Sequence, residues 1–453
     1  MDKKKRYLTT TQMIIISFFV TVFIGGVLLS LPFASASGRA TPFIDALFTA
    51  TTSVCVTGLV VVTTATHWSL LGKIIILILI QIGGLGVITI TTTLMVAVGK
   101  KISLSSRILL GDAFNLETLK GLVRFLRRVF RGTFIVEGIG ALCYVPVFVP
   151  EYGMIRGIWY SVFHAISAFC NAGIDIVGDS SFVPYVHNIW ANVVTMALII
   201  FGGIGFVVWW DVLHVIREKI AGANRGMFNM LALHSKIALT MTVFLVLSGT
   251  LLFALFEWSN PLTIGDFTPG QKLLAACFQS VTTRTAGIAT ISQKGLTVPS
   301  VITSMFLMFI GGSSVGTAGG VKVTTVAVVA LSVAATVRGN NDVTCYGRRI
   351  SNQIVRKSIA IIFISFLASM VAIICMCILE SGESVDIIFE IYSALGTAGL
   401  SRDYTATIGL AGKIILCICM FLGRIGPITM VIAFTMRDTK TALRLPKGKI
   451  TVG

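Results

Sequence analysis

Four short stretches of this chain set a glycine behind two small or polar residues and ahead of a Leu or Ile. They are Val56-Thr57-Gly58, Asn171-Ala172-Gly173, Thr285-Ala286-Gly287 and Thr397-Ala398-Gly399. Each closes a matched segment, FIDALFTATTSVCVTGL, IWYSVFHAISAFCNAGI, AACFQSVTTRTAGI and IIFEIYSALGTAGL, and the four align without gaps. None of the twelve residues is a general base or an activated nucleophile. What they offer is main chain. Glycine reaches positive φ at no steric cost, so the carbonyls around it can turn inward together. Rings of such oxygens can replace the hydration shell of a monovalent cation, and they carry no net charge that would trap it. One such tripeptide says little, because tight turns everywhere use glycine; four in one register mark a repeat architecture.

A second glycine set keeps the same register. Gly83, Gly202, Gly311 and Gly423 follow the first set by 25, 29, 24 and 24 residues, inside IGGLG, FGGIG, IGGSS and LGRIG. Small residues let membrane helices approach closely, so these positions read as helix packing, as a narrow crossing under the loops, or as both. The third member differs: Gly311, Gly312, Ser313, Ser314, Val315, Gly316, Thr317, Ala318, Gly319 and Gly320 hold five glycines in ten residues. Each costs about 1 kcal/mol relative to Ala in a helix, so the third helix is expected to break here while the other three run on. A phosphate-binding loop is excluded, since GxxxxGK[ST] spacing is not met and no strand precedes it.

Isolated charges within apolar units are functional hypotheses by default. Arg424 stands at a glycine position of the fourth unit, where it is expected to hydrogen-bond carbonyls of 311–320 or repel cations, the alternative being an ion pair with a buried carboxylate. Arg284 and Glu390 are expected to brace adjacent loops by pairing, and Glu137 has no evident partner. Asp175 and Asp179 follow the second tripeptide, where their field concentrates cations or where they are simply solvated. The five histidines show no metal-ligand spacing and no nucleophile–base set is present, so an enzyme is not expected.

The elements that position these loops follow from composition. Charged residues are 12% of the 453 and hydrophobic residues 55%, where a soluble chain carries about a quarter charged. Apolar stretches of roughly 20 residues recur, the length that crosses a bilayer, and helices satisfy their own backbone there. The net charge of +17 does not point to nucleic acid, because 26 of the 36 Lys and Arg fall in five segments that alternate with the loops. Basic residues collect in cytoplasmic connections, which puts both termini inside. KKKR, an apolar run and LPFASASGRA mimic a signal peptide, but the run fills the first-helix slot of repeat one and reads as a retained span. The nine cysteines lie mostly within apolar helices and suggest no disulfide or zinc framework.

The expected fold is an all-α polytopic membrane protein of four outer helix, pore helix, glycine loop, inner helix repeats. That makes eight spans and four re-entrant pore helices. Outer helices are placed near 12–33, 131–150, 236–257 and 356–379, pore helices near 42–56, 157–171, 271–285 and 385–397, and inner helices near 70–99, 189–216, 297–337 and 411–436. The repeats then occupy 1–99, 100–216 with a basic linker, 217–337 with the 311–320 loop, and 338–436, leaving a tail at 437–453.

With SVTTRTAG at 280–287, SALGTAGLS at 393–401 and the glycine-rich break at 311–320, the chain resembles the Trk/Ktr/HKT superfamily of potassium transporters, and within it the KtrB-type membrane subunit. The resemblance covers nearly all of the chain, and the short stretch ahead of repeat one fits the Ktr branch better than the Trk branch. It implies that the four loop glycines form a potassium filter; a serine at the first accompanies sodium preference in plant members, and here all four are glycine. It also implies that 311–320 is an intramembrane gate, the alternative being a passive kink. The implied function is potassium uptake driven by the membrane potential, with sodium as an activator and no cofactor in this chain. The implied partners are a second copy, giving a homodimer in the plasma membrane, and a cytosolic KtrA/KtrC-type ring that binds the regulating nucleotide, with 437–453 a candidate contact. The rival reading is an alternating-access sodium- or proton-coupled symporter, which would want coupling carboxylates near the midplane.

Overall fold

The computed structural model describes residues 10–86, 122–178, 180–426 and 429–430. These are helical almost throughout, with one antiparallel pair of two-residue strands, Thr344–Cys345 and Arg348–Arg349. The four outer helices are Thr10–Ser30, Leu122–Tyr152, Leu233–Glu257 and Asn352–Leu379, and the four pore helices are Phe43–Cys55, Met154–Cys170, Pro269–Thr282 and Ser384–Gly396. Start signals are local. Ser69 and Asn188 accept hydrogen bonds from the backbone of Gly72 (3.1 Å) and Ala191 (3.0 Å) at the heads of inner helices one and two. Thr268, Pro269 and Gln271 form a capping box with proline at the first turn of pore helix three.

The outer helices turn apolar side chains outward, such as Phe19, Leu251 and Phe363, each more than 60% exposed. A continuous apolar face of this extent is unfavourable in water and reads as a lipid-facing belt. The pore helices are buried along one face and through their last turns, with Phe48, Phe169, Phe278 and Phe389 fully buried. Lys413 Nζ meets Asp45 Oδ1 at 2.6 Å, closing the circle of repeats between the fourth and the first.

The inner helices differ from expectation. The third breaks as anticipated, into Val298–Phe309 and Val323–Val337. The second breaks too: Ile189–Ile204 and Phe206–Ile220 meet at 98°. The first ends at Leu85 and the fourth at Ile425. The cause is the last glycine of each motif, Gly86, Gly205 and Gly426, at φ 85°, 96° and 94°, values no helix accommodates. Expected stretches beyond 86 and beyond 430, the basic linker up to 121 and the tail 437–453 lie outside the described residues. Among the described residues, four helices are each long and apolar enough to span a bilayer, or five with the bent pair. All four are outer helices. The described pieces of the inner helices are shorter: the 16-residue Leu70–Leu85 rises only about 24 Å.

Candidate functional site

Pore helices one, two and four end where the next residue turns left-handed, and the third ends at Thr282, three residues ahead of its left-handed residue Thr285. Val56, Asn171, Thr285 and Thr397 have φ of 55°, 57°, 69° and 51°, and Gly58, Gly173, Gly287 and Gly399 have φ of 103°, 64°, 75° and 82°. The residue between them, Thr57, Ala172, Ala286 or Ala398, is not left-handed, so the sign of φ alternates along each tripeptide. A β-branched residue is strained in this region, and three of the four tripeptides begin with one.

The four glycines meet in a closed ring. A Cβ built on Gly58 would lie 2.8 Å from the Ala172 carbonyl oxygen, one on Gly173 2.7 Å from that of Ala286, and one on Gly287 2.7 Å from that of Ala398. One on Gly399 would collide with the Thr57 oxygen, returning to the first repeat. The order is cyclic: each glycine faces the middle carbonyl of the next repeat. No side chain fits at any of the four. The Thr57, Thr285 and Thr397 hydroxyls are buried at this ring without a hydrogen-bond partner among the described residues. Hydroxyls one turn earlier hold the loops: Gly58 N donates to Thr52 Oγ1 (2.9 Å), and Ser167 Oγ donates to Ile174 O (2.5 Å). In repeat three Thr282 Oγ1 donates to Ile288 O (2.6 Å); a hydroxyl five or six residues before the glycine in these three repeats is a signal present in the sequence.

On one side of the ring opens a cavity of about 440 Å³, lined by all four glycines and by Asp175 and Asp403. Asp179 lies outside the described residues. On the other side the second glycine set passes under the pore helices. A Cβ on Gly83, Gly202 or Gly423 would strike the carbonyl of Val54, Phe169 or Leu395, the residue four before each ring glycine. The expected packing role and the expected narrow crossing are therefore the same contact.

The 311–320 segment folds back as a closed loop, its neck tied by Gly311 N to Val321 O (2.9 Å) and Val323 N to Gly312 O (3.0 Å). It docks into the break of inner helix two. Ser313 N and Thr317 N donate to Gly203 O (2.8 Å) and Gly202 O (3.1 Å), and Phe206 N donates to Val315 O (2.9 Å). A straight helix would have no carbonyls to spare there; the bend at Gly205 frees them. Arg424 donates to the carbonyls of Thr317 and Gly83, and to that of Gly84 at 3.3 Å. It makes no ion pair among the described residues. Lys322 Nζ, which sequence reasoning passed over, donates to Ala318 O (2.7 Å).

The TrkH family model, described as a cation transport protein, matches residues 2–442. The chain belongs to the TrkH cation transport family. It is 38% identical to the potassium/sodium uptake protein NtpJ of Enterococcus hirae, over 99% of this chain and 98% of the relative. It is also 38% identical to the Ktr system potassium uptake protein B of Bacillus subtilis, over 98% and 97%. The potassium transporter TrkH from Vibrio parahaemolyticus shares the fold at a TM-score of 0.73 and 16% identity, covering 96% of this chain and 86% of that one.

Other polar residues of this TrkH-family chain differ from expectation. Arg284 and Glu390 do not pair. Glu390 accepts from Ser401 Oγ (2.5 Å), Arg402 N (3.1 Å) and Thr405 Oγ1 (2.6 Å), so it braces the loop that follows its own tripeptide. Arg402, not Arg284, makes the local ion pair, with Asp386 at 2.6 Å. The buried Nε of Arg284 has no partner among the described residues. Glu137 does have partners: Gln81 Nε2 at 3.1 Å and Cys170 Sγ at 3.8 Å, one from inner helix one and one beside Asn171.

Proposed function

We propose that this chain takes up potassium through a selective pore driven by the membrane potential, with Val56-Thr57-Gly58, Asn171-Ala172-Gly173, Thr285-Ala286-Gly287 and Thr397-Ala398-Gly399 as the filter. The observation that carries the reading is the cyclic ring, in which each glycine faces a main-chain oxygen of the next repeat. Oxygens gathered in this way substitute for water around a dehydrated cation. The buried Thr57, Thr285 and Thr397 hydroxyls have no hydrogen-bond partner among the described residues, and the ion or its water fills that need. Two relatives at 38% identity are potassium uptake proteins by name, one of them a potassium/sodium uptake protein.

The loop 311–320 is the gate, with Gly311, Gly312, Ser313, Ser314, Gly316, Thr317, Gly319 and Gly320 as its moving part and Arg424 as its latch. It lies directly under the ring, since a Cβ on Gly319 would strike Thr397. A guanidinium there holds loop carbonyls and opposes cations at once. Pulling a cation through the membrane is favourable by about 2.3 kcal/mol per 100 mV, sufficient for accumulation without a coupled reaction. A cytosolic KtrA/KtrC-type ring with bound nucleotide moves the gate from the basic inner face, and two membrane subunits pair in the plasma membrane with both termini cytoplasmic. Potassium flux into vesicles containing the purified chain, with and without the ring, tests this: flux that rises with the ring supports it, and absence of potassium flux in either state overturns it. Discrete current steps far above about 10³ ions per second would exclude a rocking symporter.

A further inference from the structure

Thr317 commits each of its polar groups to a different element. Its N–H donates to Gly202 O of inner helix two (3.1 Å), its carbonyl accepts from Arg424 of inner helix four, and its hydroxyl donates to Phe169 O of pore helix two (3.0 Å). The side chain is wholly buried. Phe169 lies two residues before Asn171, in the last turn of its helix, where carbonyls lack helical partners and carry the negative end of the helix dipole. The loop also reaches repeat four, where a Cβ on Gly320 would lie 3.1 Å from Gly396 O. The loop of repeat three therefore touches the pore helices of both neighbouring repeats, two and four.

We infer that Thr317 is a positioning residue for the second filter loop as well as a part of the gate. In the docked state its hydroxyl ties down Phe169 O and draws on the partial negative charge that pore helix two offers an ion. When the loop withdraws, that carbonyl is released toward the ion. Gate position and ion preference are then coupled through one hydrogen bond. The inference rests on the gate reading of 311–320 and deepens it.

The test compares three variants of the full chain in vesicles without the cytosolic ring, reading potassium flux and the potassium-to-sodium flux ratio. Thr317→Val removes the donor and keeps the shape; Thr317→Ser keeps the donor. Lys322→Met loosens the loop at Ala318 O without touching pore helix two. Losing one hydrogen bond should raise Thr317→Val flux roughly fivefold and shift its ratio by about threefold or more, while Thr317→Ser stays at wild type. Lys322→Met should raise flux at the wild-type ratio. Should Thr317→Val not fold, Thr317→Ala removes the same donor and carries the same expectation. A ratio unchanged in the donor-less variant, or shifted equally in Lys322→Met, overturns the coupling. If Lys322→Met and Thr317→Val both leave flux and ratio at wild type, the gate reading fails and takes the inference with it.

Discussion

Replacing Gly58 with serine places an atom where the ring has no room. The new Cβ would lie 2.8 Å from Ala172 O, 3.0 Å from Gly173 Cα and 3.2 Å from Gly399 Cα. The backbone there sits at φ 103°, a region that costs a non-glycine residue about 1–3 kcal/mol. Overpacking adds about 1–3 kcal/mol more. The cheapest relief is to displace the Ala172 carbonyl by a few tenths of an ångström, which removes one oxygen from its place around the ion. A loss of about 1.4 kcal/mol in discrimination is tenfold, so the potassium-to-sodium flux ratio should fall about tenfold or more, with potassium flux itself retained in part. The assay is paired potassium and sodium uptake into vesicles at one imposed potential. Gly178→Ser is the control, because a Cβ there meets nothing within 4 Å although Gly178 lines the same cavity. A wild-type ratio in Gly58→Ser would refute the reasoning.

Gly202→Ala should lower the melting temperature of the purified protein by several degrees, since its Cβ strikes Phe169 O and lies 2.7 Å from Thr317 Oγ1, while Gly138→Ala, facing open space, should not. Equal melting of both would contradict the tight crossing. Arg424→Met removes charge-assisted bonds to Thr317 O and Gly83 O, worth about 1.5–3 kcal/mol each, so flux without the cytosolic ring should rise more than tenfold; flux at the wild-type level would exclude the latch. Glu390→Ala leaves Ser401, Arg402 N and Thr405 without their acceptor and should destabilise the fourth loop by more than about 2 kcal/mol. Glu390→Gln should retain most of that stability, and thermal melts of the two variants separate the outcomes.

The four-repeat architecture was legible because its signals are local and repeated: apolar length, a glycine at a fixed offset and alternating basic segments. The pore helices fall within a few residues of their expected ranges for the same reason. The break in the third inner helix was legible from its five glycines in ten residues, whereas those at Gly86 and Gly205 were not. IGGLG and FGGIG suit close packing of a continuous helix as well as they suit a bend, and only the positive φ of Gly86 and Gly205 decides between them. Ring membership was readable; the cyclic facing of each glycine onto the next repeat's carbonyl was not, since it depends on how four distant segments close. Side-chain partners were the least accessible. Glu137 reaches Gln81 across 56 positions and Thr317 reaches Phe169 across 148, while the expected Arg284–Glu390 pair failed because hydroxyls close in sequence, Ser401 and Thr405, already satisfy the carboxylate.

The most direct measurement is anomalous diffraction from crystals soaked in thallium or rubidium, heavy stand-ins for potassium. The account predicts peaks on the axis enclosed by Gly58, Gly173, Gly287 and Gly399, at bonding distance from main-chain oxygens of all four tripeptides. A ring whose oxygens turn outward, or peaks found only at carboxylates such as Asp175 and Asp403, would contradict it.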